Sequence, residues 1–420
     1  METLQLINCI ISILFVLCYT YQFFYIPVPW LKKDRPHAAP APNRFAVLIC
    51  ARNEAAVIGD LIASIHSQSY DASHISIFVL ADNCTDDTAL IARVAGATVY
   101  ERCNTHQVGK GYALQTLLCH LEQDYPAGFD GYFVFDADNL LAPDYIQRMN
   151  ETFSDGHPIV TSYRNSKNYG DNWISAGYAL WFLRESRYLN HARHLLHTSC
   201  AVSGTGFLFS RAVLEEVGPW PFHLLTEDIE FSVHQIVRGR KIAFCPRAVL
   251  YDEQPTSFRQ SWRQRSRWAK GYLQVLRCYG KDLLRGMLRG SFSCFDMAMN
   301  IMPAFILSTA SIVCNVALCV LDLLRGGDLW LAAQSAGQLL WGMYVTLFVI
   351  GVITTLTEWR AIRTTAAKKL LYTVTFPLFM ATYIPISLSV IFRKVEWQPI
   401  EHRVSAAELR RRSREDLLPF

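Results

Sequence analysis

Residues 131–139 read Gly-Tyr-Phe-Val-Phe-Asp-Ala-Asp-Asn, an apolar run that ends in two aspartates one residue apart. The apolar part, Gly131–Phe135, has the length and composition of a buried strand, and Asp136 marks its carboxyl end. Two carboxylates with this spacing favour a hard divalent cation whose shell is completed by phosphate oxygens. Solvated turns are also rich in aspartate, so the pair alone does not decide between a metal site and a turn.

The order of apolar strand, polar loop and helix recurs on the N-terminal side of this stretch. Three further strands are predicted at Phe45–Cys50, Ile75–Leu80 and Ala97–Tyr100, each followed by a loop or a helical pattern. Repeated units of this kind predict an α/β fold with an open, mainly parallel sheet. In such sheets ligands bind at the carboxyl ends of the strands, which is where Asp82 and Asp136 lie.

Apolar residues are concentrated near the two ends of the chain. Of the 420 residues 51% are hydrophobic, and four runs are long enough to cross or nearly cross a hydrocarbon core of roughly 30 Å. These runs are Ile7–Pro27, Met297–Leu321, Leu339–Leu356 and Leu370–Phe392. The first could instead be a cleaved signal peptide, but it lacks a preceding basic segment and a convincing small-residue cleavage site.

We divide the chain where its composition changes. The predicted parts are an N-terminal transmembrane helix (1–30), a cytoplasmic α/β domain (40–255), interfacial amphipathic helices (256–293), C-terminal transmembrane or re-entrant helices (294–395) and a basic tail (396–420). Pro377 and Pro385 keep a broken or re-entrant helix as an alternative to a full crossing of the last segment.

Basic residues after the first span orient the chain. By the positive-inside rule Lys32, Lys33 and Arg35 place the middle domain in the cytoplasm, and 12 cysteines without metal-type spacing agree with that reducing compartment. Basic clusters at 360–369 and 393–412 also look cytoplasmic. These two clusters lie on either side of the last segment, so they cannot both be cytoplasmic if that segment crosses the membrane fully. The C-terminal topology is therefore left open. The predicted location is the cell membrane, as a multi-pass protein whose α/β domain lies in the cytoplasm.

Residues 225–228, Leu-Thr-Glu-Asp, open a second motif at the start of a helical pattern. An N-terminal cap by Thr226 with acidic residues in the first turn is a common arrangement. A carboxylate held at a helix start is also well placed to accept a proton from an acceptor hydroxyl. The pattern is compatible with both interpretations.

A third motif, Gln-Arg-Ser-Arg-Trp at 264–268, lies inside a basic aromatic stretch at 258–279. An interfacial amphipathic helix would account for the whole stretch. The combination of Gln264, Arg267 and Trp268 indicates more, because arginine grips a diphosphate with two parallel hydrogen bonds and an indole face suits a sugar ring.

Four motifs therefore stand in a fixed order before the membrane helices: Asp82, Asp136-x-Asp138, Thr226-Glu227-Asp228 and Gln264-x-x-Arg267-Trp268. This order resembles the processive family-2 glycosyltransferases, which include cellulose, hyaluronan, chitin and poly-N-acetylglucosamine synthases. The resemblance covers residues 44–275 by motif and the flanking spans by layout. It implies a GT-A fold for the middle domain and an inverting transfer from a UDP-sugar that depends on Mg²⁺ or Mn²⁺.

The resemblance also implies roles for individual residues. Asp228 would be the catalytic base, and Asp136 and Asp138 would bind the metal ion. Nucleotide-binding roles fall to Glu54, Asp82, Lys110, Asp136, Gln264 and Arg267. Acceptor-binding roles fall to Ser203, Gly204 and Trp268. For Glu54, the start of a helix is an equally simple explanation.

The predicted function is an inverting membrane glycosyltransferase that polymerises a β-linked polysaccharide from UDP-N-acetylglucosamine or UDP-glucose, coupled to export. Its expected partners are the donor, a growing glycan or lipid acceptor and membrane lipid, with no nucleic acid. Three or four transmembrane segments are few for a channel that exports a polysaccharide, so partner subunits or an oligomer are also possible. The alternatives are a non-processive, ceramide-type lipid glycosyltransferase and a catalytically idle scaffold. Residues 397–400, Trp-Gln-Pro-Ile, either anchor the chain at the interface or fold back towards the acceptor.

Overall fold

The computed structural model describes residues 2–34, 36–37, 39–301, 303–324, 329–395, 402, 404–405 and 407–408. The predictions made for Arg35, for residues 397–400 and for the arginines of the tail lie outside the described residues.

A single mixed sheet organises the middle of the chain. Within the described residues its strands are β1 (Phe45–Ala51), β2 (Ile75–Asp82), β3 (Thr98–Arg102), β4 (Gly131–Asp136), β5 (Leu140–Leu141), β6 (Ile159–Ser166), β7 (Phe207–Ser210) and β8 (Ala243–Asp252). Their spatial order is β3-β2-β1-β4-β7-β6-β8-β5. Strands β1 to β4 pair in parallel, as do β6 and β8, whereas β7 runs antiparallel to β4 and β6 and β5 runs antiparallel to β8. The mainly parallel sheet is confirmed.

Helices cover both faces of the sheet and both ends of the chain. They are α1 (Glu2–Tyr25), α2 (Val28–Leu31), α3 (Ile58–His66), α4 (Thr88–Val94), α5 (Lys110–Asp124), α6 (Tyr145–Ser154), α7 (Trp173–Arg184), α8 (His191–Leu195), α9 (Arg211–Val217), α10 (Glu227–Val237), α11 (Phe258–Leu288), α12 (Phe292–Ile301), α13 (Pro303–Leu324), α14 (Leu329–Thr357), α15 (Ala366–Ala381) and α16 (Tyr383–Phe392). A 3₁₀ turn at Ala72–His74 and a π-helical segment at Glu185–Asn190 complete the set.

Strand β1 is apolar throughout because both of its faces are covered. Its side chains alternate, so that Phe45, Val47 and Ile49 join a core with α3, while Ala46 and Leu48 join a core with α5. Helix α3 meets its core with residues at helical spacing, and α5 does the same on the other face. Burying each large aliphatic side chain contributes roughly 1.5–3 kcal/mol to the free energy of folding. A shift of one residue in strand pairing would turn these side chains to the other face, so their burial fixes the register and the positions of the carboxyl ends of the strands.

Three helical segments of the described chain are long and apolar enough to cross a membrane: Cys9–Leu31, Leu340–Thr357 and Ala366–Phe392. They correspond to three of the four predicted spans. The remaining predicted run, Met297–Leu321, is divided between α12 and α13, and α13 packs against α1. Pro377 lies inside α15, and the backbone passes through Thr382 into α16.

A buried ion pair between α8 and α12 also binds helix α1. Arg193 of α8 donates two hydrogen bonds to Asp296 of α12, at 2.7 and 2.8 Å. The hydroxyls of Tyr21 and Tyr25 of α1 donate to the same carboxylate at 2.7 and 2.8 Å. Removing one partner of such a pair typically costs about 3–5 kcal/mol. The pair therefore holds α1 against the domain that carries the site.

Candidate active site

Every site residue predicted from the sequence lines one cavity of about 1210 Å³. The cavity opens at the carboxyl ends of β1, β2 and β4, where a parallel sheet places its ligands. It continues from there between the helices at the two ends of the chain. The arrangement brings together residues that are far apart in the sequence.

Asp136 and Lys110 form an ion pair where the cavity meets the sheet. Asp136 is the last residue of β4, and Lys110 is the first residue of α5. The Lys110 ammonium group donates to the Asp136 carboxylate and, at 2.7 Å, to the carbonyl oxygen of Gly204. Burial alone would lower the pKa of Lys110, but the charges of Asp136 and Glu227 outweigh it and raise that pKa. Lys110 thus remains a cation beside the carboxylate.

Asp138 is buried and remains charged. Its Oδ2 accepts a hydrogen bond from the backbone N–H of Glu253 at 2.8 Å. Burial would raise the pKa of Asp138, but the nearby positive charges of His402 and Lys167, together with that hydrogen bond, bring the pKa below its usual value. A carboxylate that stays ionised while buried suits a metal ligand.

The two aspartates fit a divalent cation that is shared with a ligand. In the described part of the chain, no group of three or more His, Cys, Asp or Glu side chains is gathered to hold a metal ion. Asp136 and Asp138 therefore offer hard oxygen donors for part of a coordination shell, and the cavity leaves room for phosphate oxygens to supply the rest.

Asp82 is held by a residue that sequence reasoning missed. Arg102, the last residue of β3, donates to Asp82 Oδ1 at 2.6 Å, and Asn83 donates to the same oxygen at 3.0 Å. Asn83 has a left-handed backbone (φ +54), a conformation that asparagine tolerates well. Among the described residues the second oxygen, Oδ2, accepts no hydrogen bond, so it remains for a ligand.

Glu54 faces another unpredicted partner. Nδ1 of His402 lies 3.0 Å from both oxygens of the Glu54 carboxylate. Burial would lower the pKa of His402, but the charges of Asp138 and Glu54 raise it to about 10. The C-terminal segment therefore places a cation near the carboxylates of Glu54 and Asp138. No local motif around His402 signals this contact, which spans almost the whole chain.

The Thr-Glu-Asp motif begins α10, but Thr226 does not cap it. Its side chain makes no capping hydrogen bond, and its buried Oγ1 has no hydrogen-bond partner among the described residues. The reason lies in packing, because a Cβ atom on Gly271 of α11 would come within 2.5 Å of the Thr226 side chain. Thr226 occupies the N-cap position and contacts α11 closely, but its side chain provides no cap, whereas the predicted acidic residues, Glu227 and Asp228, do lie in the first turn.

Glu227 and Asp228, the first two residues of α10, are carboxyls whose pKa is raised. Burial raises the pKa of Asp228, partly offset by a backbone hydrogen bond from Ile229. Burial and then the charge of Asp228 raise the pKa of Glu227 to about 7. A Cβ atom on Gly204 (φ +78) would lie 4.0 Å from Asp228 Oδ2 and 3.9 Å from Asp136 Oδ2. The two acidic motifs therefore face each other across this glycine.

Helix α11 contributes three polar or aromatic groups to the cavity wall. Gln264 Oε1 is buried and has no hydrogen-bond partner in the described structure. Arg267 forms no ion pair with a described residue, and Trp268 packs edge-on against Tyr178 and Phe182 with ring centroids 5.7 and 6.1 Å apart. An unpaired guanidinium and an orphaned amide oxygen are suited to a polar ligand.

The Ser203 loop is fixed by groups that the motifs did not reveal. Ser203 Oγ donates to Glu185, and its carbonyl oxygen accepts from Arg164 Nη1 at 2.9 Å. Arg164 is in turn paired with Asp252. An arginine inside the otherwise apolar or neutral part of β6 is the one local signal that could have pointed to this network.

Comparison with known proteins agrees with this geometry. The profile of the family described as "Glycosyltransferase like family 2" matches residues 42–271. The "Probable glycosyltransferase YdaM" of Bacillus subtilis (strain 168) is 24% identical over 389 residues, which are 87% of this chain and 85% of that protein.

Two further relatives have more specific names. The β-monoglucosyldiacylglycerol synthase of Nostoc sp. (strain PCC 7120) is 26% identical over 281 residues, 64% of this chain and 57% of the relative. The poly-β-1,6-N-acetyl-D-glucosamine synthase of Staphylococcus aureus (strain COL) is 26% identical over 241 residues, 54% of each protein. The chain thus matches little more than half the length of these two relatives.

A solved structure extends the likeness to the fold of nearly the whole chain. The mannosyltransferase PcManGT from Pyrobaculum calidifontis, in complex with GDP-Man and Mn²⁺, superimposes with a TM-score of 0.57 at 17% identity, covering 93% of this chain and 99% of that one. The sheet and helices are those of the GT-A fold. Because the family profile spans more than half of the 420 residues, the protein belongs to the family-2 glycosyltransferases.

Proposed function

We propose that the protein is an inverting, metal-dependent hexosyltransferase that moves a sugar from a UDP-hexose to an acceptor entering from the membrane. One observation carries the proposal. The cavity that contains Asp136, Asp138 and Asp228 is also lined by residues of α1, α13, α14, α15 and α16. An acceptor that reaches the base from this side lies partly among apolar helices.

On the donor side, Asp136 and Asp138 would hold Mg²⁺ or Mn²⁺, which when bound would neutralise the charge that develops on the leaving UDP. Asp82 offers its free oxygen to the uracil, and Glu54 lies close to the same pocket. Lys110 holds the Asp136 carboxylate in place.

On the leaving-group side, Gln264 and Arg267 bind the diphosphate from helix α11. Arg267 suits this role because its guanidinium has no ion-pair partner among the described residues and a diphosphate would supply one. The Ser203–Gly204 loop and Trp268 face the acceptor, with the Trp268 ring against the sugar.

Asp228 is the general base. The acceptor hydroxyl gives its proton to the Asp228 carboxylate while its oxygen bonds to the anomeric carbon, and the bond between that carbon and the UDP oxygen breaks. The single displacement inverts the anomeric centre and needs no covalent intermediate. A carboxylate with a raised pKa is a stronger base than an exposed one, which suits this step.

A lipid is the acceptor that this cavity favours. Apolar side chains predominate in its membrane part, among them Ile11, Val16, Phe23, Leu347 and Ile350. Sugar hydroxyls that enter such surroundings lose their hydrogen-bond partners, whereas acyl chains lose nothing. The named activity of the β-monoglucosyldiacylglycerol synthase relative is of this type. The product would be a lipid that carries one sugar.

Polymerisation of a β-linked glycan from UDP-N-acetylglucosamine or UDP-glucose is the second candidate. Trp268 favours it, because an indole that lines the same cavity as the base is a platform on which each new sugar of a growing chain could stack. One relative, the poly-β-1,6-N-acetyl-D-glucosamine synthase, is named for an activity of this kind. In either case we propose a multi-pass protein with its site at the cytoplasmic face, divided into parts as the sequence predicts. Partner subunits would belong to the second candidate, which needs a channel.

The test measures UDP release by the full-length protein in lipid nanodiscs with Mg²⁺ or Mn²⁺. Four donors are compared, UDP-glucose, UDP-N-acetylglucosamine, UDP-galactose and UDP-glucuronate, with and without diacylglycerol, and product masses are recorded. A single hexose added to lipid supports the first candidate, and a ladder of masses supports the second. Release that is the same in Asp228→Asn, or no release with any donor, contradicts the proposed enzyme.

A further inference from the structure

We propose that Arg184 binds the phosphate group of an anionic lipid that occupies the membrane part of the cavity. The proposal rests on the proposed function and deepens it, because it names the class of lipid that the cavity takes. Arg184 is half-buried in the cavity wall and has no role in the mechanism described above.

The contacts of Arg184 are all neutral. Its Nη2 donates to Oε1 of Gln22 at 2.8 Å, and its guanidinium lies 5.0 Å from the centroid of the Trp181 ring. No carboxylate oxygen of a described residue lies within 4.0 Å of it. The carboxylate of the next residue, Glu185, accepts a hydrogen bond from Ser203 instead.

Other cations of the same cavity are neutralised. Lys110, Arg164 and Arg193 each pair with a carboxylate, those of Asp136, Asp252 and Asp296 respectively. Arg267 also has no such partner among the described residues, but the proposed function already assigns it to the leaving diphosphate. Arg184 thus has no carboxylate of a described residue within ion-pair distance, unlike the three paired cations, although the charge of Glu185 acts on it from farther away. Taking a charge out of water without a partner is unfavourable, so an anion would complete the site.

Helix structure does not explain this charge. Cations are common at helix C-termini, where they meet free carbonyl groups. Arg184 is the last residue of α7, but the backbone continues in helical form through the π-helical segment Glu185–Asn190 into α8. The N–H of Glu185 still bonds to the carbonyl groups of Trp181 and Phe182. No helix end is therefore present for Arg184 to stabilise.

The position of Arg184 matches a lipid headgroup. On one side its neighbour Glu185 contacts the Ser203 loop of the active site, and on the other side Gln22 belongs to α1. From Gln22, Phe23 and Val16 continue the cavity wall along α1. A phosphate at Arg184 would place acyl chains against these residues, and guanidinium groups bind phosphate with two parallel hydrogen bonds. Burial lowers the pKa of Arg184 to about 10, so it is still a cation at neutral pH.

The experiment compares binding of lysophosphatidic acid and of monoacylglycerol with the same acyl chain to the full-length protein in a neutral detergent. Inorganic phosphate alone is the third ligand. The variants are Arg184→Gln, Arg184→Lys and, as a matched control, Arg263→Gln, which removes an exposed arginine of α11. UDP binding in the presence of Mn²⁺ is measured for each variant to show that the donor site is folded.

The wild-type protein should bind lysophosphatidic acid at least about tenfold more tightly than monoacylglycerol, as expected for hydrogen bonds to a charged group. Arg184→Gln should bind both lipids equally, Arg184→Lys should keep a reduced preference, and Arg263→Gln should keep the full one. A full preference in Arg184→Gln, or none in the wild type, overturns the proposal. Inorganic phosphate that binds as tightly as lysophosphatidic acid overturns the assignment to a lipid. If the wild type shows these lipid preferences but releases no UDP with any donor, the proposed function is contradicted and the lipid site is not.

Discussion

The two acidic motifs of the cavity, Asp136-Ala137-Asp138 and Thr226-Glu227-Asp228, are built from the same kind of side chain and have opposite electrostatics. In the first, the positive charges of His402 and Lys167 outweigh burial and hold the pKa of Asp138 below its usual value. In the second, burial prevails, and the pKa of Asp228 is raised. Both motifs lie at the end of a secondary-structure element and line the same cavity.

The surroundings of each carboxylate set the direction of its pKa shift, and we propose that they thereby give the two motifs different roles. A carboxylate that stays ionised is available to a metal ion at any physiological pH, whereas one of raised pKa can take up a proton during the reaction. The glycine between them, Gly204, brings both within reach of one bound substrate. The comparison therefore predicts separate consequences for changes on each side.

The largest effect is expected for Asp228→Asn, which keeps the shape of the side chain and removes the base. We expect the rate of sugar transfer to fall roughly 10²–10⁴-fold, the usual contribution of a positioned acid or base. The measurement is UDP release with the best donor and acceptor. The control is Glu122→Gln, which removes an exposed carboxylate of α5. Equal rates for the two variants would remove Asp228 from the mechanism.

Asp138→Ala should weaken UDP binding in the presence of Mg²⁺ or Mn²⁺ by at least about tenfold, or 1.4 kcal/mol, because a ligand of the metal is lost. Asp138→Asn is the matched variant, since its amide oxygen can still accept the hydrogen bond from Glu253. Both variants should lose metal-dependent affinity. Recovery in Asp138→Asn would mean that Asp138 is structural.

Glu227→Gln should shift the pH dependence of transfer. The pKa of Glu227 is raised to about 7, so the Glu227–Asp228 pair takes up a proton as the pH falls through that range, and the wild-type rate should fall with it. Removing the Glu227 charge lowers the pKa of Asp228. The pH at which the transfer rate falls on the acid side of its pH profile should then be lower by roughly one unit, equivalent to about 1.4 kcal/mol. If that pH is unchanged or higher, the coupling is contradicted.

The smallest effect concerns how the acceptor-side motif is held. Gly271→Ala would bring a Cβ atom within 2.5 Å of Thr226, and overpacking of this kind typically costs about 1–3 kcal/mol. Gly280→Ala, on the same helix, meets only the flexible end of Leu276 and should be neutral or stabilise by up to about 1 kcal/mol. Thermal unfolding in the same detergent compares them. Equal stability would show that Thr226 moves freely away from α11.

The sequence predicted the donor half of the site better than its surroundings. Strands β1 to β4 agree with the predicted runs to within one or two residues, because their apolar continuity is a local property. The motif residues all line one cavity because their positions are set by strand ends and helix starts, which are also local features of the sequence. The Thr226 cap was predicted wrongly because its contact with Gly271 joins two helices that are distant in the chain.

The groups that tune the site could not be predicted from the sequence. His402 meets Glu54 across a separation of 348 residues, and Arg102 reaches Asp82 only because β3 lies beside β2. Arg184 stands out only once the structure shows that Glu185, the next residue, accepts a hydrogen bond from Ser203 and that Arg184 donates to Gln22. Such contacts depend on tertiary packing, which has no period or spacing in the sequence.

The central claim is that the two acidic motifs do different work, and the ratio of UDP dissociation constants with and without Mn²⁺ tests it most directly. The ratio is measured by titration calorimetry for the wild type, Asp138→Ala and Asp228→Asn. We predict that Asp228→Asn keeps the wild-type ratio and that the ratio falls to about one in Asp138→Ala. A wild-type ratio in Asp138→Ala, or a ratio near one in Asp228→Asn, would contradict the division between a metal-binding motif and a proton-accepting motif.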